Sequence, residues 1–168
     1  EGNVLALQNL QQTVGEGELK EAVKLIGAAD TVYVAGFRRA FPISSYIAYS
    51  LQQLGKRVTF IDGVAGLARQ QAGTMGPGDL LIAISYQPYA GETVELVDIA
   101  ANRKARILSI SDSRASPIAR AATLVLQVRE SEVRSFRSLA TSICLAQALV
   151  IGFAFDAERK NGKAPRRK

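Results

Sequence analysis

The sequence predicts an α/β protein in one domain, a three-layer α-β-α sandwich around a five-stranded parallel sheet. Five short β-branched or aliphatic runs punctuate its 168 residues, and most are nearly continuous apolar segments, the pattern of strands buried on both faces of a sheet. Helix-length segments separate them in units of about 25 residues, the repeat of right-handed βαβ crossovers. The length suits a single proper core, and no linker or internal repeat divides it.

Each element has its own signal. "ELKEAVKLIGAA" (18–29) is helical, with Leu19, Val23 and Ile26 on one stripe, and leads into the first strand, "TVYVAG" from Thr31. "FPISSYIAYSLQQLG" is a helix from Phe41 that stops at Gly55, a natural glycine just past a helix end. The second strand is "RVTFID" from Arg57, and the Gly/Pro turn "TMGPGDL" introduces the third, "LLIAIS" from Leu80. "GETVELVDIAANRKA" is a helix with Val94, Val97 and Ala101 expected to face inward, followed by the strand "RILSIS" from Arg106. "SPIARAA" (116–122) is expected to form a short helix, with Ser116 as N-cap and Pro117 in the first position. "TLVLQV" from Thr123 is the fifth strand, and a long last helix is expected over 135–155.

Composition narrows the function classes. Apolar residues make up 48% and charged residues 21%, ordinary for a soluble globular protein. The longest unbroken apolar run, "ALVIGFAF" (148–155), is too short to span a bilayer. The start has no signal-peptide pattern and reads like the interior of a longer chain. The formal charge of +6 lies wholly in "RKNGKAPRRK" (159–168), because residues 1–158 carry 15 cations and 15 acids. The tail is therefore expected to be a solvated, disordered end, and the folded part gives little reason to expect nucleic-acid binding. Cys144 is the only cysteine and is expected at a buried helix position, which with the missing signal peptide points to the cytoplasm. The chain has no histidine, which removes the commonest general base and most zinc sites.

Ligands of open parallel sheets sit beyond the carboxyl ends of the strands, where strand order reverses. Two turns leave such ends with unusual content. In "GFRRAF" (36–41), Gly36 allows a tight turn, Arg38 and Arg39 bring charge, and Pro42 suits the first turn of the next helix. A helix start beside two guanidiniums favours an anion; the other reading is solvated arginines, or pairing with acids of a partner subunit. In "SYQPYAGET" (85–93), Ser85 ends its strand facing the crevice, and Tyr86 and Tyr89 offer aromatic faces or phenols. Gly91 permits close approach to the next helix, and Thr93 lies in that helix's first turn. Such hydroxyls and helix N–H groups can cradle phosphate or carboxylate, or merely cap their own backbone. Lesser candidates are Asp62 as crevice or capping residue, Asp112 as turn former beside Ser113 and Arg114, and Glu130 and Glu132 within reach of a neighbouring subunit.

Together the early turn from Gly36 to Ala40, the strand "DLLIAIS" and the closing "GET" resemble the SIS (sugar isomerase) domain family over nearly the whole chain. The lead-in "NLQQTV…ELKEAVKLIGAADTVYVAGF" and the late "SDSRASPIARAATLVLQV" are similar to SIS domains of RpiR-type bacterial transcriptional regulators. The resemblance implies a flavodoxin-like sandwich that dimerises and senses a small anionic metabolite, often a phosphosugar, without cofactor, metal or catalysis. DNA would be bound only by a separate helix-turn-helix domain absent from this chain. The two turns and the resemblance together give as candidate ligand-binding residues Gly36, Arg38, Arg39, Ala40, Ser85, Tyr86, Tyr89, Gly91, Glu92 and Thr93. The family's first turn reads G-x-G-x-S, and here Arg38 replaces its second glycine and Ala40 its serine. In the second turn, S-x-S-G-x-T, Gln87–Tyr89 lengthen the middle and Ala90 replaces the second serine. The runner-up is an aldose–ketose sugar-phosphate isomerase with Glu92 or Glu95 as base, and a nucleic-acid module acting through the tail comes third. The expected division is a ligand-binding domain over 1–158 and a basic tail over 159–168.

Overall fold

The computed structural model describes residues 2–133, 136–160 and 162. Two helices open the chain, α1 (Gly2–Thr13) and α2 (Glu16–Ala28), and lead into β1 (Val32–Gly36). A single 3-10 turn, Arg38–Ala40, feeds α3 (Phe41–Gln53), followed by β2 (Val58–Ile61), α4 (Ala68–Ala72), β3 (Leu80–Ser85) and α5 (Gly91–Asn102). Next come β4 (Arg106–Ser111) and β5 (Leu124–Gln127), then a two-stranded antiparallel pair, β6 (Glu132–Val133) and β7 (Phe136–Arg137). The last helix is α6 (Ala140–Lys160).

All five expected strands form one sheet in the order β2-β1-β3-β4-β5, every pair parallel. The chain steps outward from β1 to β2, then crosses back over β1 to lay down β3. Strand order therefore reverses between β1 and β3, and a crevice opens at their carboxyl ends. The alternation of a pleated strand sends Val32, Val34, Leu80, Ile82 and Ile84 to one core, shared with α2, α3 and α6. Tyr33, Ala35, Leu81 and Ala83 go to a second core, under α4 and α5. That double burial explains why the strand sequences are continuously apolar.

Helix ends follow local chemistry. Gly55 takes a left-handed φ of +79° just beyond α3, and its N–H bonds the Gln52 carbonyl. Glu130, ahead of the β6–β7 pair, accepts hydrogen bonds from the backbone N–H groups of Thr141 (3.1 Å) and Ser142 (2.6 Å), capping α6.

Five local expectations are corrected. The segment 116–122 forms successive i→i+3 turns (Ala119 to Ser116, Ala122 to Ala119), not a helix, since seven residues containing Pro117 cannot offset the cost of nucleation. Ser116 caps nothing: its hydroxyl is buried without a partner among the described residues. The last helix starts at Ala140, because 132–133 and 136–137 contribute the paired strands, and it runs on to Lys160; Ser135 lies outside the described residues. Cys144 is exposed, because α6 turns Leu145, Ala146, Leu149 and Phe153 inward and leaves Cys144 on the opposite face. On α5 the inward stripe is Thr93, Leu96, Val97 and Ala100, one position out of phase with Ala101, which is exposed.

By length and composition α6 could cross a membrane, but one of its faces is part of the larger core. Arg159 and Lys160, counted with the tail, form its last turn and pair with Asp156 at 2.6 and 2.7 Å. Residues 161 and 163–168 lie outside the described ones.

Candidate functional site

The first turn is shaped by the close approach of α3 to β1. A Cβ on Gly36 would fall 3.1 Å from the Ala40 carbonyl oxygen and from Ser44, so a side chain there would make both give by a few tenths of an ångström. Ser44 fixes the approach, its hydroxyl donating to the carbonyls of Gly36 (3.1 Å) and Phe41 (3.0 Å). Arg38 adopts a left-handed φ of +57°, a conformation that costs a non-glycine residue roughly 1–2 kcal/mol. It is also the position where the G-x-G-x-S pattern carries its second glycine. Arg38 and Arg39 both reach across the crevice: Arg38 Nη2 lies 3.2 Å from Glu92 Oε2, and Arg39 Nη2 donates to the Gln87 carbonyl at 2.8 Å. Arg39 Nε is buried with no partner among the described residues.

In the second turn, Ser85 is almost fully buried and its hydroxyl accepts the Ala90 N–H at 3.2 Å, holding the start of α5. Tyr86 is turned into the core, where its hydroxyl donates to Ser142 Oγ on α6 at 2.7 Å. Burial, reinforced by Glu130 and Asp112, pushes that phenol far above the usual tyrosine range, against the smaller opposing pull of the Ser142 bond. Tyr89 is half-buried and donates to Asp112 Oδ1 at 3.0 Å; desolvation first, and that bond second, raise its phenol. Thr93 is fully buried and its hydroxyl has no partner among the described residues. Gly91 needs correction: nothing lies within 4 Å of where its Cβ would be, so no close approach demands a glycine there.

These elements enclose a cavity of about 180 Å³ lined by Phe37, Arg38, Arg39, Ala40, Ser85, Tyr86, Pro88 and Ala90. Arg38, Arg39, Ala40, Ser85 and Tyr86 from the sequence-derived set thus share one pocket. Gly36, Tyr89, Gly91 and Thr93 lie off its lining. Glu92 borders a separate cavity of about 380 Å³ with Phe37, Asp62 and Glu95 on the α4–α5 side of the sheet. Arginine donors beside the start of α5 are suited to holding an anion. Among the described residues no cluster of acids or cysteine could hold a metal ion.

Of the lesser candidates, Asp62 closes a turn, its carboxylate accepting the Val64 N–H two residues on at 2.9 Å. Arg114 pairs with Glu18 of α2 at 2.7 Å. Asp112 does more than form a turn: it also accepts the Gln87 N–H (3.1 Å) and pairs with Arg137 at 3.2 Å. Arg137 and the Gln87 carbonyl were absent from the sequence-derived set. A carboxylate just past the end of β4 was the available signal for Asp112; Arg137 approaches only through the β6–β7 pair, which no pattern announced.

The sequence pattern of the SIS domain family matches residues 25–155. The sugar isomerase domain of an RpiR transcription factor from Sphaerobacter thermophilus superposes with a TM-score of 0.85 at 25% identity, over 95% of this chain and 93% of that one. The Vibrio vulnificus NanR protein, in complex with ManNAc-6P, superposes with a TM-score of 0.81 at 21% identity, over 96% of this chain and 64% of that one. The 3-hexulose-6-phosphate isomerase of Methylomonas aminofaciens is 29% identical over 133 residues, 79% of this chain and 70% of the enzyme. Several other curated relatives are far longer, and the chain spans 26% of their length.

Proposed function

The chain belongs to the SIS domain family, and from that premise we propose that it is the effector-sensing, dimerising domain of a transcriptional regulator. It binds a small anionic metabolite of the phosphosugar or sugar-acid class, acts in the cytoplasm, and controls DNA binding by a separate helix-turn-helix domain. One observation carries this reading over catalysis. The pocket is walled by arginines, while Glu92 and Glu95, the candidate bases of an isomerase, lie off its lining and border the cavity on the α4–α5 side. Support also comes from the two regulator structures, one of them holding a phosphosugar. The ligand's anion sits at the start of α5, with Arg39 Nε, buried and unpartnered among the described residues, as an additional donor.

Dimerisation rests on exposed apolar side chains gathered on two packed helices. Val4 and Leu5 of α1 are 58% and 61% exposed, and Ile151 and Phe155 of α6 are 54% and 58% exposed. The basic residues of 159–168 add a weak, salt-sensitive attraction to nucleic acid.

A thermal-shift screen against phosphosugars and sugar acids tests the reading, since a ligand at 100 times its Kd stabilises a fold by about 2.7 kcal/mol. Ser85→Ala and Arg39→Ala should each weaken the hit about tenfold or more; unchanged affinity in both would show that the turns only cap their helices. The isomerase reading is favoured by the 29% identity to 3-hexulose-6-phosphate isomerase. Turnover of hexulose or arabinose phosphates that vanishes in Glu92→Gln would replace the sensor with an enzyme.

A further inference from the structure

The donors around the anion pocket are largely spent within the protein. The Tyr86 hydroxyl donates away from it to Ser142, and the Gln87 N–H goes to Asp112. Ser85 Oγ accepts the Ala90 N–H, and the Thr93 N–H turns back to the Ala90 carbonyl. Ala40 and Ala90, where the family pattern has serine, line the cavity with methyl groups in place of hydroxyls. Positive charge is limited too. Of the two guanidiniums in the wall, Arg38 already faces Glu92 at 3.2 Å, which leaves roughly one positive charge uncompensated. The cavity on the α4–α5 side shares Phe37 with the pocket and adds Asp62 and Glu95, so a second negative charge is repelled from there. Space is the third limit. At about 180 Å³ the pocket is close to a cavity of ~150 Å³ that holds benzene, so it suits roughly six to nine heavy atoms, against about sixteen in a hexose phosphate.

We propose that this pocket reads a planar carboxylate in preference to a phosphate, and that the effector is a short hydroxy or oxo acid of about three or four carbons; the inference rests on the sensor reading above and narrows its ligand class. A phosphate monoester brings three terminal oxygens and a charge of about −1.5 to −2, more of both than the wall can answer. A carboxylate brings two oxygens in one plane and a single charge, which one guanidinium meets edge to edge. Arg39 offers such an edge. Its Nη2 is anchored on the Gln87 carbonyl at 2.8 Å and keeps a second hydrogen, and the adjoining Nε is buried without a partner among the described residues. The anchor sets the plane of the fork before any ligand arrives, so little entropy is lost on binding. Phe37, Pro88 and the two alanines are left to face a short carbon chain.

Calorimetry on the 168-residue chain compares acid with phosphate at matched carbon number. The pairs are glycerate with glycerol 3-phosphate, threonate with erythrose 4-phosphate, and gluconate with glucose 6-phosphate. Glycerate or threonate should bind about tenfold or more tighter than its phosphate partner, and tighter than gluconate. Arg39→Lys keeps the charge but loses the fork and should weaken that acid about tenfold; thermal melting confirms that the variant is folded. If neither short acid leads its partner about tenfold, if gluconate binds tighter than both, or if the acid's affinity survives Arg39→Lys, the proposal falls and the sensor reading stands. If none of these compounds binds the wild-type chain, the anion pocket fails and the sensor reading falls with it.

Discussion

Tyr86→Phe removes a single hydroxyl from the contact between the second turn and α6. In the native chain that hydroxyl lies 2.7 Å from Ser142 Oγ, with Tyr86 5% and Ser142 0% exposed. Deleting it strands the serine hydroxyl away from water, which costs about 1–3 kcal/mol; Ser142→Ala strands the phenol at a similar cost. At this chain length a loss of about 2 kcal/mol lowers Tm by roughly 4–8 °C. Removing both hydroxyls removes the penalty, so the double variant should lose less than the sum of the singles, with a coupling of about 1–2 kcal/mol. Urea unfolding followed by circular dichroism reads all three, provided the slope is unchanged. Strictly additive losses would show that the two hydroxyls do not depend on each other. The same phenol adds a pH signature. Its folded pKa is raised above the ordinary value of 10.0, so the folded state keeps a proton that the unfolded chain gives up. The resulting stability is whole below pH 10 and declines as pH climbs past it. Tyr89 adds to that decline in the same direction. Tyr86→Phe should therefore make it shallower, and an unaltered alkaline slope would assign it to other groups.

Two further outcomes are expected. Glu130→Gln replaces the carboxylate that receives the first N–H groups of α6 and should lower stability by about 1 kcal/mol, read as an earlier urea midpoint; an unmoved midpoint would show that the cap contributes nothing. Ile151→Glu combined with Phe155→Glu puts charge on the exposed apolar face of α6 and should give a monomer mass by light scattering with an unchanged far-UV spectrum. A dimer that survives both changes uses another surface.

The sheet was legible because burial on both faces leaves no ambiguity of phase: "VYVAG", "LLIAIS" and "RILSIS" can be placed as strands without knowing their neighbours. Helix faces were less so. On α5, Ala100 and Ala101 are equivalent in composition, and only packing against β3 and β4 decides which is buried. Cys144 was misplaced for the same reason, since α6 is apolar on nearly every side. At the site, the sequence identified both turns and their charged residues. It could not show that the arginines of one turn bind the second, because Arg38 and Glu92 are 54 positions apart. The paired strands at 132–133 and 136–137 left no trace at all, being too short to show an alternation, and with them the role of Arg137 was hidden.

The Arg38–Glu92 contact makes association at this mouth an exchange rather than a simple capture. An anion that takes the Arg38 Nη2 donor competes with the carboxylate already there, so one contact is lost for the one gained. Charge is traded between partners of the same sign, and the count of screened pairs changes little. Affinity should then respond to added salt far less steeply than an open arginine pocket would, because ions that weaken the new pair weaken the old one too. The energy of binding at Arg38 would then be the difference between two guanidinium–oxyanion contacts. Selectivity comes from how much better the incoming anion fits the guanidinium than Glu92 does, and charge alone confers none.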